Sequence, residues 1–122
     1  MTFRTASEIR GYHAHVYYQA ATRDVAQRLH AELGARFVGT LGRMHDVPVG
    51  PHSVPMFQFA FESDELVRIV PWLMLNRGDL SVMIHPRTGD EVADHMTNPM
   101  WLGAPLAVNV EFLHDWVAAH AP

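Results

Sequence analysis

Histidine is the residue whose type and spacing most clearly point to chemistry in this sequence. Nine histidines occur in 122 residues, and cysteine is absent. Imidazole is the commonest metal ligand and titrates near neutral pH, and nitrogen ligands without thiolates suit a Lewis-acidic or redox-active metal. Four histidines lie at or beside the ends of predicted strands: His13, His15, His52 and His85. We interpret these four as one shared site; the alternative is a set of hydrogen-bonded histidines on half-buried strands.

Surface positions are expected for three others, His30, His114 and His120.

The elements that must position the four histidines follow from hydrophobic patterning. Alternating or β-rich segments predict strands over 9–18, 35–41, 56–62, 80–85 and 106–113. Helical spacing of apolar residues predicts a first helix that begins at Thr22 and ends at Gly34. A second helix should begin at Ser63 or Asp64, and Pro71 should kink or interrupt it. A short helix is expected at the end of the chain.

This order of elements, βαββαβ with an additional C-terminal strand, predicts an α+β, ferredoxin-like sandwich. Both helices cover one face of an antiparallel sheet, in strand order four, one, three, two. We expect strand one to run antiparallel to strand four and parallel to strand three, which gathers the histidines at one sheet edge. Alternation places His13, His15 and Tyr17 on the open face together with His85.

Composition limits the classes of protein that fit. The length suits one domain over residues 1–122. Net charge is −4, and every basic residue is arginine. The sequence has no basic stripe of the kind that binds nucleic acid, so a nucleic-acid partner is not expected. No apolar segment approaches the ~18 residues of a membrane span. The first residues lack the apolar region of a signal peptide, so a cytoplasmic protein is expected.

Several motifs in this order resemble the DOPA 4,5-dioxygenase family of small ring-cleaving dioxygenases: YHAHVYY, GRMHDVPVGPHSVP, WLMLNRGDLSVMIHPRTGDEVADH and MWLG. The resemblance covers about Tyr12 to about Phe112. It implies extradiol cleavage by non-haem Fe(II) and O₂ of a small aromatic substrate, a catechol such as 3,4-dihydroxyphenylalanine. Zinc or nickel could replace the iron in a purified sample, because nitrogen ligands accept both.

Site roles are assigned as hypotheses. His15, His52 and His85 are the predicted metal ligands, because they converge at one sheet edge. Non-haem iron oxygenases commonly add one carboxylate to two histidines; candidates here are Glu111, Asp46, Asp94 and Glu62, and an all-histidine site is the alternative.

Substrate handling needs a proton acceptor and an anion-binding group. Histidine suits the first role, and His13 or His95 is the candidate. Arg77 or Arg43 is the candidate to pair with a substrate carboxylate.

Two other classes fit the same histidines: a non-catalytic metal- or ligand-binding domain, and a metal-dependent hydrolase or isomerase. We also expect a homodimer that buries the open sheet face.

Overall fold

The computed structural model describes residues 2–122. Its strands are β1 (Tyr12–Tyr17), β2 (Thr40–Leu41), β3 (Met56–Phe61), β4 (Val82–Pro86) and β5 (Met100–Leu102). Its α-helices are α1 (Arg23–Arg36), α2 (Leu66–Asn76), α3 (Glu91–Met96) and α4 (Val110–Ala119). The strands form one antiparallel sheet in the order β2-β3-β1-β4-β5. The predicted α+β class and the order of the first four strands are confirmed.

The core lies between the sheet and the pair α1 and α2. Alternate residues of β1, Ala14 and Val16, are fully buried in the same cluster as Leu33 of α1 and Leu73 of α2. The three phenylalanines of β3 join this cluster. Because strand side chains alternate between faces, the residues of β1 and β3 that lie between these core residues face the opposite side of the sheet, as predicted.

One topological expectation is wrong: β1 runs antiparallel to β3, with Tyr12 opposite Phe61 and Tyr17 opposite Met56. In a split βαβ unit, the helix joins two parallel strands, and the strand inserted between them runs the other way. The start of β3 therefore lies beside the end of β1. The position of His52 before β3 does not by itself bring it to His13 and His15.

The structure also corrects the helix boundaries. Gly34 does not end α1, which continues to Arg36 and leaves only Thr40–Leu41 for β2. Pro71 lies inside α2 without interrupting it. A proline removes one intrahelical hydrogen bond, and the fully buried Ile69 and Leu73 hold the helix on the core.

The C-terminal strand exists, but not where alternation placed it. Residues 100–102, expected within a long connection, form β5 and pair with β4. The predicted strand over 106–113 is wrong: its second half belongs to α4, which spans residues 110–119. The side chain of Asn109 accepts a hydrogen bond from the backbone N–H of Phe112 and caps this helix. This cap and the burial of Leu113 outweigh the alternating pattern.

The sheet face opposite α1 and α2 is covered by the chain's own later segments. Tyr17, Met56 and Met83 form a second buried cluster there, packed by loop residues that include Val54 and Val108. The exposed face that motivated the expected homodimer is therefore already covered. Along residues 2–122, no helix combines the length and apolar character needed to cross a membrane.

Candidate metal centre

Two neighbouring strands bring three histidines to one face, as predicted. His13 lies directly opposite His85 in the β1–β4 ladder, and His15 lies two residues further along β1. The Nε2 atoms of His15 and His85 are 3.1 Å apart. The ring centroids of His13 and His85 are 5.0 Å apart. The period of two along a strand is sufficient to gather these three rings.

His52 reaches the same place through the loop between β2 and β3. Its backbone pairs with Val108 in an isolated bridge, and Asn109 donates its N–H to the Pro51 carbonyl at 2.8 Å. The ring centroid of His52 then lies 4.3 Å from that of His15. The sequence prediction chose this residue, but loop packing rather than strand register positions it.

His95 lies on α3, which folds over the cluster. Its ring centroid is 4.1 Å from that of His85 and 6.2 Å from that of His15. Buried Asp94 anchors this helix by accepting hydrogen bonds from the backbone N–H and hydroxyl of Thr88. This segment therefore covers the sheet face that carries the other histidines.

The hydrogen bonds of the rings determine which nitrogens are available. His85 donates its Nδ1–H to the Pro86 carbonyl at 2.9 Å, and His95 donates its Nδ1–H to the Glu91 carbonyl at 2.8 Å. In a neutral ring the other nitrogen, Nε2, then carries a lone pair. His52 Nδ1 lies 2.8 Å from the hydroxyl of buried Tyr17.

His15 carries an unsatisfied buried nitrogen. Because Nε2 of His85 is an acceptor, the 3.1 Å contact requires His15 to donate from its own Nε2. Its Nδ1 is then a lone pair with no hydrogen-bond partner, although the residue is only 2% exposed. An orphaned buried acceptor costs free energy. Imidazole lone pairs gathered in this way fit a cation.

Burial keeps these rings neutral. It lowers the pKa of His85 to about 3 and the pKa of His52 to about 4, with neighbouring histidines adding to the effect. Burial also lowers the pKa of His15 well below its ordinary value. The pKa of His13 falls to about 4 because of burial and then the charge of Arg87. A histidine binds a metal in its neutral form. Because these rings are already neutral near pH 7, a metal could bind without first removing a proton from them.

Two overlapping groups of three histidines could each hold an ion, since their ligand atoms lie within 4.8 Å of one another. They are His13, His15 and His85, and His15, His52 and His95. His15 belongs to both groups, and the predicted ligands His15, His52 and His85 are divided between them.

The four candidate carboxylates belong to neither of these ligand groups: Glu111, Asp46, Asp94 and Glu62. Asp94 accepts hydrogen bonds from Thr88, and Asp46 accepts hydrogen bonds from Tyr18 and Arg23. The ligand atoms that the described residues offer at this position are therefore imidazole nitrogens, which matches the all-histidine alternative.

The two predicted carboxylate-binding arginines do not line the histidine cavity. Arg77 donates to the Leu80 carbonyl at 2.9 Å and the Gly78 carbonyl at 3.2 Å, next to the end of α2. Arg43 is exposed in the loop after β2.

Among the expected surface histidines, His114 and His120 are exposed, whereas His30 is half-buried and contacts the Gly42 carbonyl at 2.8 Å.

A cavity of about 240 Å³ opens beside the cluster. Its histidines are His13, His15, His52 and His95, and other walls come from Gln58, Glu91, Phe112, Leu113 and Trp116. Sequence reasoning missed the α4 side of this cavity, because it assigned that segment to a strand. The Asn109 cap was the local signal for a helix there. Aromatic walls next to nitrogens that could bind a metal can hold a planar ring beside them.

Fold and site together define the chain as a small α+β domain with a buried all-histidine candidate metal centre beside an aromatic-walled cavity. The sequence profile of the Dopa 4,5-dioxygenase family matches residues 12–112. The chain therefore belongs to the Dopa 4,5-dioxygenase family, as its sequence motifs predicted.

Individual relatives agree with this assignment. The chain is 33% identical over 114 residues to DOPA 4,5-dioxygenase of Amanita muscaria, covering 85% of this chain but 50% of that protein. It is 32% identical to an uncharacterized 21.2 kDa protein of Botryotinia fuckeliana, covering 93% of this chain and 71% of the relative. The chain thus spans about half the length of the Amanita protein.

A solved structure from Nostoc punctiforme, described as "a putative dioxygenase", shares the fold. The TM-score is 0.92 and the sequence identity 52%, with 93% of this chain and 99% of that chain covered.

Proposed function

We propose that this protein is an extradiol ring-cleaving dioxygenase that uses non-haem Fe(II) and O₂ to open a catechol. The observation that supports this most strongly is the buried histidine cluster, with its orphaned His15 nitrogen, at the wall of a cavity that also contains Phe112 and Trp116. In a member of the Dopa 4,5-dioxygenase family, this arrangement suits a planar aromatic substrate at a nitrogen-bound metal.

The ion would be held by His15 together with partners from the strands, the loop and α3. His52, His85 and His95 complete the candidate set, since Tyr17 or backbone carbonyls occupy their Nδ1 atoms and leave Nε2 for coordination. At His85 the ion would replace the hydrogen bond that Nε2 accepts from His15. With three of these histidines as ligands, as in each group that could hold an ion, a bound ferrous ion would supply coordination positions for the two catechol oxygens and for O₂. Phe112 and Trp116 would position the ring and exclude water from it.

His13 is the proposed acid/base. It lines the cavity and is more exposed than His15 and His85, so a substrate can reach it. With a pKa of about 4 the ring is neutral near pH 7, so one ring nitrogen carries a lone pair. A negative charge that develops on the catechol beside it would raise this pKa and favour transfer of the hydroxyl proton to the ring. His95 was the alternative candidate; both residues belong to a group that could hold an ion, but His95 is buried whereas His13 is half-buried, which favours His13 for contact with the substrate.

The decisive experiment is anaerobic reconstitution with Fe(II), addition of a catechol and then admission of oxygen. We expect oxygen uptake in proportion to catechol consumed and a yellow ring-opened semialdehyde. Catechol binding without oxygen uptake would indicate a binding domain. Turnover of an ester or amide without oxygen would indicate a hydrolase. Either result would overturn the proposal.

Alanine variants test the ligand set independently of activity. His15→Ala should lose the most iron, because His15 is common to both groups of histidines. His52→Ala, His85→Ala and His95→Ala measure the contribution of each partner by metal analysis and chelator competition. His114→Ala, at an exposed position on α4, is the matched control. Full iron occupancy in all four cluster variants would locate the metal elsewhere.

A further inference from the structure

We propose that Gln58 is a substrate-binding residue whose side-chain amide donates a hydrogen bond to the ionised oxygen of a catechol at the histidine cluster. This inference rests on the proposed function and adds a residue that sequence analysis did not select. Gln58 is part of the wall of the histidine cavity, unlike Arg77 and Arg43.

Strand register places Gln58 beside the central histidine. In the β1–β3 ladder Gln58 lies directly opposite His15. Residues opposite each other in an antiparallel pair share a face, with Cβ atoms about 4.5–5.5 Å apart. Gln58 therefore flanks His15 from β3, while His85 approaches it from β4 at 3.1 Å. Because His15 belongs to both groups that could hold an ion, Gln58 is a neighbour of the ion whichever group holds it.

The amide of Gln58 is available to a ligand. The side-chain hydrogen bonds beside the cavity join histidines to one another, to Tyr17 or to backbone carbonyls, and within residues 2–122 none involves the Gln58 amide. The residue is half-buried. A primary amide has two N–H donors and one acceptor oxygen, and its partial removal from water costs free energy unless a partner replaces the water. A bound ligand can supply that partner.

Gly42 leaves the far side of Gln58 open. Gly42 donates its N–H to the Gln58 carbonyl at 2.8 Å, on the side of β3 away from β1. A Cβ atom at Gly42 would lie 3.8 Å from the Cβ of Gln58. Since glycine has no side chain, position 42 places nothing against the glutamine side chain. The amide therefore has room to turn toward a ring at His15.

The chemistry of a catechol requires a donor as well as a proton acceptor. His13, in the same cavity, is the proposed acceptor of one hydroxyl proton, which leaves negative charge on the oxygen. The amide N–H of Gln58 remains a donor at every pH, and a hydrogen bond to an ionised acceptor contributes more than one to a neutral hydroxyl. Glu91, also in the cavity wall, cannot donate when ionised. The indole of Trp116 is the other N–H donor of the non-histidine walls, and it lies on α4 rather than on the sheet.

The test uses 4-nitrocatechol, whose absorption moves to longer wavelength when a hydroxyl loses its proton. It is titrated anaerobically into the Fe(II)-loaded protein at pH 7, which gives both the dissociation constant and the ionisation of the bound ligand. Gln58→Met, of similar length but without a donor, should weaken binding by about tenfold to a hundredfold and shift the bound spectrum toward the less ionised form. Gln58→Glu, which preserves the shape and adds a negative charge, should bind no better than Gln58→Met.

Two variants serve as controls. Gln27→Met changes an exposed glutamine of α1, on the other side of the sheet, and should match the wild type. Trp116→Phe removes the indole N–H and keeps an aromatic wall, so the bound ligand should stay ionised. Thermal unfolding and iron content are measured for each variant, and both should be unchanged in Gln58→Met.

Four results would overturn the inference. An unchanged dissociation constant and spectrum in Gln58→Met would remove Gln58 and leave the proposed function standing. Weaker binding without a spectral shift would indicate a merely structural role, and loss of iron in Gln58→Met would make the residue a metal ligand instead. Loss of the ionised spectrum in Trp116→Phe alone would move the role to the indole. Failure of the Fe(II)-loaded wild type to bind any catechol would overturn the proposed function itself.

Discussion

Mild acid should destabilise the metal-free protein, because the histidines of its cluster are buried in their neutral, unprotonated form. Burial lowers the pKa of His52 from 6.5 to about 4 and the pKa of His85 from 6.5 to about 3. Well above pH 6.5 neither ring binds a proton in either state, and its contribution to stability is complete. As the pH falls below 6.5, the unfolded chain binds protons that the native state refuses, so the free energy of unfolding decreases.

The magnitude follows from the proton count. Near pH 5 the unfolded chain holds almost two more protons at His52 and His85 than the native chain does. Each proton changes the free energy of unfolding by about 1.4 kcal/mol per pH unit, so these two residues give a slope of about 3 kcal/mol per pH unit. A domain has about 5–15 kcal/mol of stability in all. Asp46 and Glu65 have pKa values below their ordinary 3.8 and 4.5, so their contributions are lost only at lower pH.

The assay is urea unfolding of the metal-free protein, followed by circular dichroism at several pH values from about 7 to about 5. His85→Gln should reduce the slope by about 1.4 kcal/mol per pH unit, whatever its effect on stability at neutral pH. His114→Gln, at an exposed position, should leave the slope unchanged. A free energy of unfolding that stays constant over this range, or an unchanged slope in His85→Gln, would refute the reasoning.

Three further predictions concern catalysis, metal affinity and assembly. His13→Gln should retain iron and catechol binding but slow turnover by ~10²–10⁴-fold; a wild-type rate in stopped-flow assays would contradict its acid/base role. Tyr17→Phe removes the hydroxyl 2.8 Å from His52 Nδ1 and should weaken iron affinity by ~10–100-fold, measured by chelator competition, while an unchanged affinity would exclude this positioning role. Because the chain's own segments cover the sheet face expected to pair, sedimentation should give a monomer of 13.8 kDa rather than the homodimer expected from sequence, and a dimer at micromolar concentration would contradict this.

Local patterning was enough to predict part of this protein from its sequence. Alternation in β1 and β4 assigned His13, His15 and His85 to one sheet face, because a strand repeats every two residues whatever surrounds it. The order of elements predicted the sheet order, because short connections and right-handed crossovers leave few topologies open. The motifs around the histidines were sufficient to identify the family.

Only the tertiary structure determined how the site is completed. His52 arrives through a loop whose path depends on its pairing with Val108, far along the chain. Residues 106–113 alternate like a strand, yet an Asn109 cap and the burial of Leu113 make most of them loop and helix, which puts Phe112 at the cavity. Arginine side chains are long and flexible, so sequence could not show that Arg77 hydrogen-bonds backbone carbonyls and does not line the cavity. These outcomes depend on contacts between distant segments, and local patterning carries no information about such contacts.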